Sequence, residues 1–355
     1  MDVLEYLYQN QNVSLKEKPF NELDALLLSC VAYFPFDQFP INKNIYRGNA
    51  LYETIKNYQF PPEYGERRIK YFKVAQTLCL AKRFNKIQFG FFKKERDENS
   101  DKQFQAITII LKDFIFISFC GTDATVLGWK EDFNMAYLDM VPSEIAAIKY
   151  ANDIRRKFPF KKIYIGGHSK GGRLAITAAK ELSKTKRLMH VFSFDAPNFP
   201  AHCYDDNYKK VDELISYYAP EESIIGRLMN EYRPKIIVKS SNSLLMQHDT
   251  FSWLVEDCYF IKTNAYTEKS TRIVRTINNT LTNNDEETKQ QFIETLFDII
   301  ERLNIEELPN EKVLMPFFIS QIPHIWKEWR SIDKDNRSVV KKIVIELLKD
   351  YFFGK

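Results

Sequence analysis

A glycine-rich stretch at residues 161–173, KKIYIGGHSKGGR, places the tightest constraint on how this chain can fold. It opens with a short apolar run typical of a buried strand, and the small apolar residues after the glycines predict a helix. Between them, Gly167, Ser169 and Gly171 form the pattern G-x-S-x-G, which lifts a serine hydroxyl clear of a sheet when it joins strand to helix. Side chains at the two flanking positions would crowd such a turn, so we expect both to require glycine.

A strand, a tight turn with a serine, and a helix together predict a nucleophile whose oxyanion lies at the positive end of the following helix. The other glycine-rich candidate, a phosphate-binding loop, needs Gly-Lys followed by Ser or Thr. Here Lys170 is followed by Gly171, which excludes that loop. The stretch therefore predicts serine-based chemistry, with the backbone N–H of Lys170 as one oxyanion donor.

The chain has 355 residues, enough for one catalytic domain with appended elements. We expect that domain over residues 1–259 and a helical C-terminal extension, packed on it, over 260–355. The net charge of +4 is too balanced to favour nucleic-acid binding. Five scattered cysteines favour a reduced, cytoplasmic protein, and we expect neither a secretion signal nor a transmembrane segment.

Six apolar runs predict further strands, at residues 87–92, 104–111, 114–119, 188–194, 214–218 and 236–239. The first three have short connections, which favours antiparallel pairing, whereas the longer connections of the later three favour parallel pairing. Helical patterns lie before, between and after these runs. The sequence thus predicts an α/β-hydrolase fold, in which helices flank a mixed, mostly parallel sheet and a helical appendage follows.

A serine hydroxyl becomes a nucleophile at neutral pH only when a histidine takes its proton and an acid orients that histidine. His248 follows the last predicted strand, where a hydrolase of this fold carries its base, and is our candidate. Glu222, after the preceding strand, is the candidate acid. Glu221 beside it and Asp195 at the end of an earlier strand are the alternatives.

The second oxyanion donor should come from a loop after an earlier strand. Thr122 fits because it follows a strand and a glycine and offers both a backbone N–H and a hydroxyl. A metal site built from His190, His202 and Cys203 is the weaker alternative, since these residues do not have the close spacing of a ligand pair. We expect neither a metal nor an organic cofactor.

Three motifs together resemble the class 3 lipases, the fungal-type triacylglycerol lipases. They are Phe-Cys-Gly-Thr ending at Thr122, Trp129 with Asp132 downstream, and the Gly-His-Ser-Lys-Gly-Gly turn. Residues 20–255 look closer still to an uncharacterised bacterial α/β-hydrolase family that is grouped with those lipases. The resemblance implies that Ser169 is the nucleophile and His248 the base. It also implies an acid in the loop of Glu222 and an oxyanion hole formed by Thr122 and Lys170.

The sequence also departs from the lipase pattern. Lys170 stands where lipases usually carry Leu, and a cation beside the nucleophile predicts a preference for anionic or polar acyl groups. The lipase acid, normally Asp, aligns near Ser223. Residues 123–142, where a lipase lid would lie, lack a long apolar helix, so we do not expect interfacial activation on fat droplets.

The predicted function is that of a serine esterase or lipase-like hydrolase, acting through an acyl-enzyme on small-molecule acyl esters or lipids. A thioesterase or acyltransferase could use the same residues. The alternative is a catalytically weak pseudo-hydrolase that binds a lipid or a protein. Residues 336–353 form a basic amphipathic pattern, and such a helix allows a weak contact with a membrane surface.

Overall fold

The structure is a computed structural model that describes residues 1–39, 45–61, 64–229, 231–303, 305 and 311–353. Its helices are α1 (Val3–Asn10), α2 (Glu22–Cys30), α3 (Gly48–Ile55), α4 (Glu66–Leu80), α5 (Val126–Asn134), α6 (Pro142–Lys157), α7 (Lys170–Leu182), α8 (Asp206–Asp212), α9 (Glu268–Asn283), α10 (Glu286–Arg302), α11 (Glu311–Ser331) and α12 (Lys334–Phe353). Its strands are β1 (Ile45–Arg47), β2 (Gln88–Asp97), β3 (Lys102–Ile110), β4 (Phe114–Phe119), β5 (Lys162–His168), β6 (Leu188–Phe194), β7 (Ile215–Pro220), β8 (Ile236–Val238), β9 (Val255–Glu256), β10 (Tyr259–Phe260) and β11 (Lys262–Thr263).

Within these residues, nine strands form one sheet in the order β1-β2-β3-β4-β5-β6-β7-β8-β11. Strands β1 to β4 pair antiparallel, β4 to β8 pair parallel, and β11 returns antiparallel to β8. Helices α6, α7 and α8 lie in the crossovers of the parallel part, because a parallel connection must return over a face of the sheet. The predicted mixed sheet flanked by helices is confirmed, as is the change from antiparallel to parallel pairing.

Strand β4 shows why the centre of the sheet is stable. Phe114 and Phe116 pack into the apolar core on one face, which contains α2. Ile115 and Ile117 pack into the core on the other face, against α6 and α7. Successive strand residues point to opposite faces, so this unbroken apolar run is buried on both sides. A central strand of this kind holds the loop that follows it at a fixed place beside β5.

Helix α2 begins where the sequence predicts a helix. The Asn21 side chain accepts hydrogen bonds from the backbone N–H groups of Leu23 and Asp24, and the Asp24 carboxylate accepts from the N–H of Asn21. This reciprocal cap satisfies N–H groups that a helix otherwise leaves without partners. It fixes α2 under β4 and β5, the two strands whose C-terminal ends carry the candidate site.

The helical part at the C-terminus comprises α9 to α12. Helix α10 packs on α5, where Val126 meets Ile293, Phe297 and Ile300 in a small apolar core. Helix α5 occupies the stretch where a lipase lid was expected, and it is nine residues long. Across the described part of the chain, no helix combines the length and the apolar character that crossing a membrane requires.

Candidate active site

The turn after β5 holds Ser169 in an unusual backbone conformation. Its φ is 58° and its ψ is −136°, a combination that costs a residue with a side chain about 1–3 kcal/mol. The neighbouring strand holds it there, because the N–H of Ser169 donates to the carbonyl of Phe194 at 2.9 Å. The carbonyl of Ser169 in turn accepts from the N–H of Gly172 at 2.9 Å. The serine therefore lies between β5 and α7 in the strained turn that the motif predicts.

The two flanking glycines are required for steric reasons. A Cβ atom at Gly167 would lie 2.2 Å from the carbonyl carbon of Gly171. A Cβ atom at Gly171 would lie 2.2 Å from the carbonyl oxygen of Phe119, which belongs to the last residue of β4. Backbone atoms cannot move aside as a flexible side chain could. The predicted need for glycine at both positions is confirmed by this close approach of three backbone segments.

His248 reaches the same edge of the sheet from far along the chain. It ends a 3₁₀ segment, Leu244–His248, that follows β8. Its ring centroid lies 4.4 Å from that of His168, the residue before the serine. The indole of Trp253 donates to the carbonyl of Gln247 at 2.8 Å and so ties down the end of this segment. The predicted base therefore lies against the residue that precedes the serine.

The acid that contacts this imidazole is Asp195 rather than Glu222. Asp195 follows β6, is buried, and places Oδ2 2.6 Å from Nδ1 of His248. Its other oxygen, Oδ1, accepts a hydrogen bond from the Ser223 hydroxyl at 2.5 Å. Both carboxylate oxygens thus have defined partners, which fixes the plane of the carboxylate and of the ring bound to it.

Our expectation that Glu222 orients the imidazole is corrected by its own contacts. Its carboxylate accepts hydrogen bonds from the N–H of Leu244 at 2.7 Å and from the Thr267 hydroxyl at 3.3 Å. Its N–H donates to the side chain of Gln247 at 2.8 Å. Glu222 therefore caps and supports the segment that carries His248. The carbonyl of Glu221, the other glutamate considered, accepts from the N–H of Thr267.

The loop after β4 lies against the serine turn. A Cβ atom at Gly121 would lie 2.7 Å from the carbonyl oxygen of His168 and 3.1 Å from Cβ of Ser169. Thr122 follows directly, and its hydroxyl donates to the Asp132 carboxylate on α5. That hydrogen bond turns the Thr122 hydroxyl toward α5.

Asp132 has an unusual protonation equilibrium. Burial raises its pKa to about 6, although the charge of Lys170 and the hydrogen bond from Thr122 oppose the shift. A carboxyl group with a raised pKa favours the protonated form in the folded protein. The side chain that supports Thr122 therefore gains a proton in weakly acidic solution.

The ammonium of Lys170 is buried in an ion pair with Glu131, so the structure removes the reason for the expected preference for anionic or polar acyl groups. Its ammonium is buried and donates to Glu131 at 2.9 Å and to the side-chain and backbone oxygens of Gln103 at 2.6 and 3.1 Å. Burial alone would lower the pKa of Lys170, but Asp132 and Glu131 outweigh it and hold that pKa above its usual value. Its cation joins the start of α7 to α5 and β3.

Two further contacts were not predicted from the sequence. The Tyr33 hydroxyl lies 3.1 Å from Nδ1 of His168 and 3.2 Å from its carbonyl oxygen. Burial, together with the charge of His248, lowers the pKa of His168 well below its usual value. A neutral His168 ring therefore packs against His248. The second contact that was not predicted is the hydrogen bond from Ser223 to Asp195. The alignment of the lipase acid near Ser223 was the signal that could have pointed to it.

The weaker metal hypothesis is not supported by the positions of its residues. His190 hydrogen-bonds the Ser216 hydroxyl at 2.8 Å, and His202 contacts Asp139 at 2.7 Å. In the described ranges, no group of His, Cys, Asp and Glu side chains is arranged to hold a metal ion. Each histidine instead joins its own segment to another, His190 of β6 to β7 and His202 to the connection between α5 and α6.

Lys235 is buried behind the acid and gives a prediction about stability. Its ammonium donates to the carbonyl of Ala196 at 3.0 Å, and burial lowers its pKa to about 8 against the opposing charge of Asp195. Unfolding restores the ordinary pKa of Lys235, 10.5. Between pH 8 and pH 10.5 the lysine is therefore mostly neutral in the folded protein and mostly protonated in the unfolded chain. The free energy of unfolding of the wild type should thus rise by about 2 kcal/mol from pH 8 to pH 10 relative to Lys235→Met.

Urea unfolding at several pH values measures this difference. Lys210→Met, a change at an exposed lysine, is the control and should follow the wild type across the range. Parallel pH profiles for the wild type and Lys235→Met would contradict the prediction.

The sheet and the glycine-flanked serine define the chain as an α/β protein with a serine turn at the C-terminal edge of its parallel strands. A family model described as Mbeg1-like matches residues 78–298, and the chain belongs to this family. The matched range contains Ser169, Asp195 and His248, and it extends past the predicted domain boundary at residue 259.

Solved structures of lipases are similar to this chain at low identity. M37 lipase is 16% identical over 59% of this chain and 70% of its own, with a TM-score of 0.38. A deletion mutant of the Rhizomucor miehei lipase propeptide complex is 13% identical over 49% and 70%, with a TM-score of 0.36. The lipase of Rhizopus microsporus var. chinensis is 14% identical over 57% and 72%, with a TM-score of 0.32. A search of curated proteins gave no match.

Proposed function

We propose that this chain is a serine hydrolase that cleaves acyl esters through an acyl-enzyme on Ser169. In this proposal His248 is the base, Asp195 orients its imidazole, and the N–H groups of Thr122 and Lys170 receive the oxyanion. The observation that carries it is the short hydrogen bond from His248 to the buried Asp195, made by a ring that packs against the residue before the serine.

The contact of His248 with Asp195 supports a choice between its two ring nitrogens. Because Asp195 accepts at Nδ1, the neutral ring carries its proton there and keeps a lone pair on Nε2. Nε2 is therefore the nitrogen that takes the proton of Ser169. The negative charge of Asp195 also stabilises the imidazolium formed in this step.

The reaction balances with an ester and a water molecule alone. Oγ of Ser169 forms a bond to the carbonyl carbon while its proton passes to Nε2 of His248, and the negative charge develops on the carbonyl oxygen. Collapse of this intermediate breaks the bond to the alcohol oxygen, which leaves with the proton from Nε2. Water then attacks the acyl-enzyme in the same way, releasing a carboxylic acid and restoring the serine hydroxyl.

The proposed substrates are small-molecule acyl esters or lipids. Thioester hydrolysis or acyl transfer would use the same atoms and differ only in the leaving group or the acceptor. A weak contact of the last helix with a membrane surface stays a prediction from the sequence. The relation to a bacterial lipase-like family and the cytoplasmic location also stay predictions from the sequence.

Labelling with a fluorophosphonate probe tests the proposal. The probe reacts covalently with serines that a neighbouring base has activated. We expect the wild type to be labelled and Ser169→Ala to be unlabelled. Ser100→Ala keeps the nucleophile and removes an exposed hydroxyl in the connection between β2 and β3, so it serves as the control and should still react.

Two results would count against a hydrolase. One is a wild type that stays unlabelled, and the other is a Ser169→Ala variant that is labelled equally well. The alternative of a pseudo-hydrolase would be favoured by a labelled serine without turnover of short or long p-nitrophenyl esters. Acyl-chain preference on the same esters would then define the substrate class.

A further inference from the structure

The last helix exposes apolar side chains among lysines. Val344, Ile345 and Leu348 are 42%, 49% and 52% exposed, values that are high for aliphatic residues on a packed helix. Lys341, Lys342 and Lys349 are exposed as well. At 3.6 residues per turn these six side chains fall within about 160° of the helix circumference. We call these six residues the α12 face.

The opposite side of α12 is packed on the protein. Ile343 is buried. Glu346 accepts a hydrogen bond from the side chain of Asn284 at 2.8 Å, and Asp350 accepts one from Asn279 of α9 at 3.0 Å. The acidic side chains of this part of the helix are thus turned inward while its lysines point out. The sorting leaves the α12 face apolar and positively charged.

We propose that the α12 face docks on the surface of an anionic lipid bilayer. Its aliphatic side chains would enter the boundary between headgroups and acyl chains, and its lysines would contact lipid phosphates. Neither feature alone identifies this partner. Their combination does, because a helix that lies in the headgroup region of a bilayer meets both acyl chains and lipid phosphates along its whole length.

The helix before α12 in the chain lies close to the candidate active site and carries exposed residues of the same kind. Helix α11 joins α12 through Ile332 and Asp333 and lies beside the segment Leu244–His248. Trp326 of α11 is 58% exposed, with Lys327 and Arg330 exposed near it. Tryptophan and basic residues are enriched where helices meet lipid headgroups. If the proposed function holds, the esters cleaved at Ser169 are lipids of the docked surface.

Co-sedimentation with lipid vesicles tests docking directly, without any need for turnover. The probes are vesicles of phosphatidylcholine alone and vesicles with about one quarter phosphatidylglycerol. We expect the full chain to bind the anionic vesicles and to be released by about 0.5 M NaCl, which screens charge attraction. The double variant Ile345→Glu/Leu348→Glu should bind at least about tenfold more weakly, because it removes apolar contact and adds repulsion.

Two variants serve as matched controls. Phe160→Glu makes the same kind of change at a residue that is 94% exposed in the connection between α6 and β5, and it should bind as the wild type does. Ser169→Ala should also bind normally, since docking needs no nucleophile. Hydrolysis of soluble p-nitrophenyl butyrate by the α12 double variant should match the wild type and would show that this variant is folded.

Several outcomes would overturn the docking proposal. One is an absence of binding to anionic vesicles at low salt, and another is equal binding by the wild type and the double variant. A wild-type dimer that dissociates in the double variant would assign the α12 face to a second copy of the chain. A wild type that binds anionic vesicles but hydrolyses no ester would contradict the proposed function and support the docking proposal.

Discussion

Replacement of Asp195 with Asn should lower kcat/KM for p-nitrophenyl butyrate by about 10⁴-fold. The reason lies in the hydrogen bond from Ser223 to Oδ1 of Asp195. An Asn side chain would keep its oxygen toward that hydroxyl and turn its NH₂ group toward Nδ1 of His248. The ring would then carry its proton on Nε2, where it cannot accept the proton of Ser169. Steady-state kinetics measures the loss.

Glu222→Gln is the matched control for this prediction. Glu222 supports the His248 segment through Leu244 and Thr267, and a Gln oxygen can keep one of these hydrogen bonds. Its kcat/KM should fall by no more than about threefold, since the change touches the ring only through the loop. The opposite ranking of the two variants would restore Glu222 as the acid and remove Asp195 from the mechanism.

The second large effect concerns stability and the buried cation at Lys170. Lys170→Met would leave the Glu131 carboxylate buried without its counter-ion, and we expect the free energy of unfolding to fall by about 3–5 kcal/mol. Glu131 also accepts from the N–H groups of Gln103 and Ser143, so its charge is held in place and cannot reach water. Guanidinium chloride unfolding followed by circular dichroism measures the change.

A double-mutant cycle separates the ion pair from simple loss of packing. Glu131→Gln alone should also destabilise the protein, because it leaves the buried Lys170 ammonium with only the more distant Asp132 carboxylate, 3.7 Å away. In Lys170→Met/Glu131→Gln neither charge remains, so the double variant should be more stable than the sum of the single effects predicts, by about 2 kcal/mol. Strict additivity would mean that the pair contributes nothing beyond its separate contacts.

The sequence predicted the elements that depend on local pattern. The serine turn could be placed because G-x-S-x-G leaves the chain few conformations, and Gly167 and Gly171 are held by backbone contacts that allow no side chain. Strand β6 was predicted with its observed bounds, because polar residues flank the apolar run on both sides and show where the strand begins and ends. His248 was found because few histidines follow the last parallel strand.

The acid and the role of Lys170 depend on contacts between distant segments, and they could not be predicted. Asp195 and Glu222 both follow strands at the same sheet edge, so spacing cannot show which of them meets the ring. Which carboxylate contacts the His248 ring depends on the path of the segment Leu244–His248. Lys170 was expected to place a cation beside the nucleophile, because the sequence does not show that Gln103 and Glu131 accept hydrogen bonds from its ammonium.

The pairing of β5 with β6 has a mechanical consequence. The backbone N–H of Ser169 donates to the carbonyl of Phe194, and Asp195 is the next residue, so the proposed nucleophile and the proposed acid belong to one pair of hydrogen-bonded strands. The imidazole of His248 lies on a separate short turn. In the proposed mechanism, a movement of that turn would change the distance of the imidazole from both groups at once.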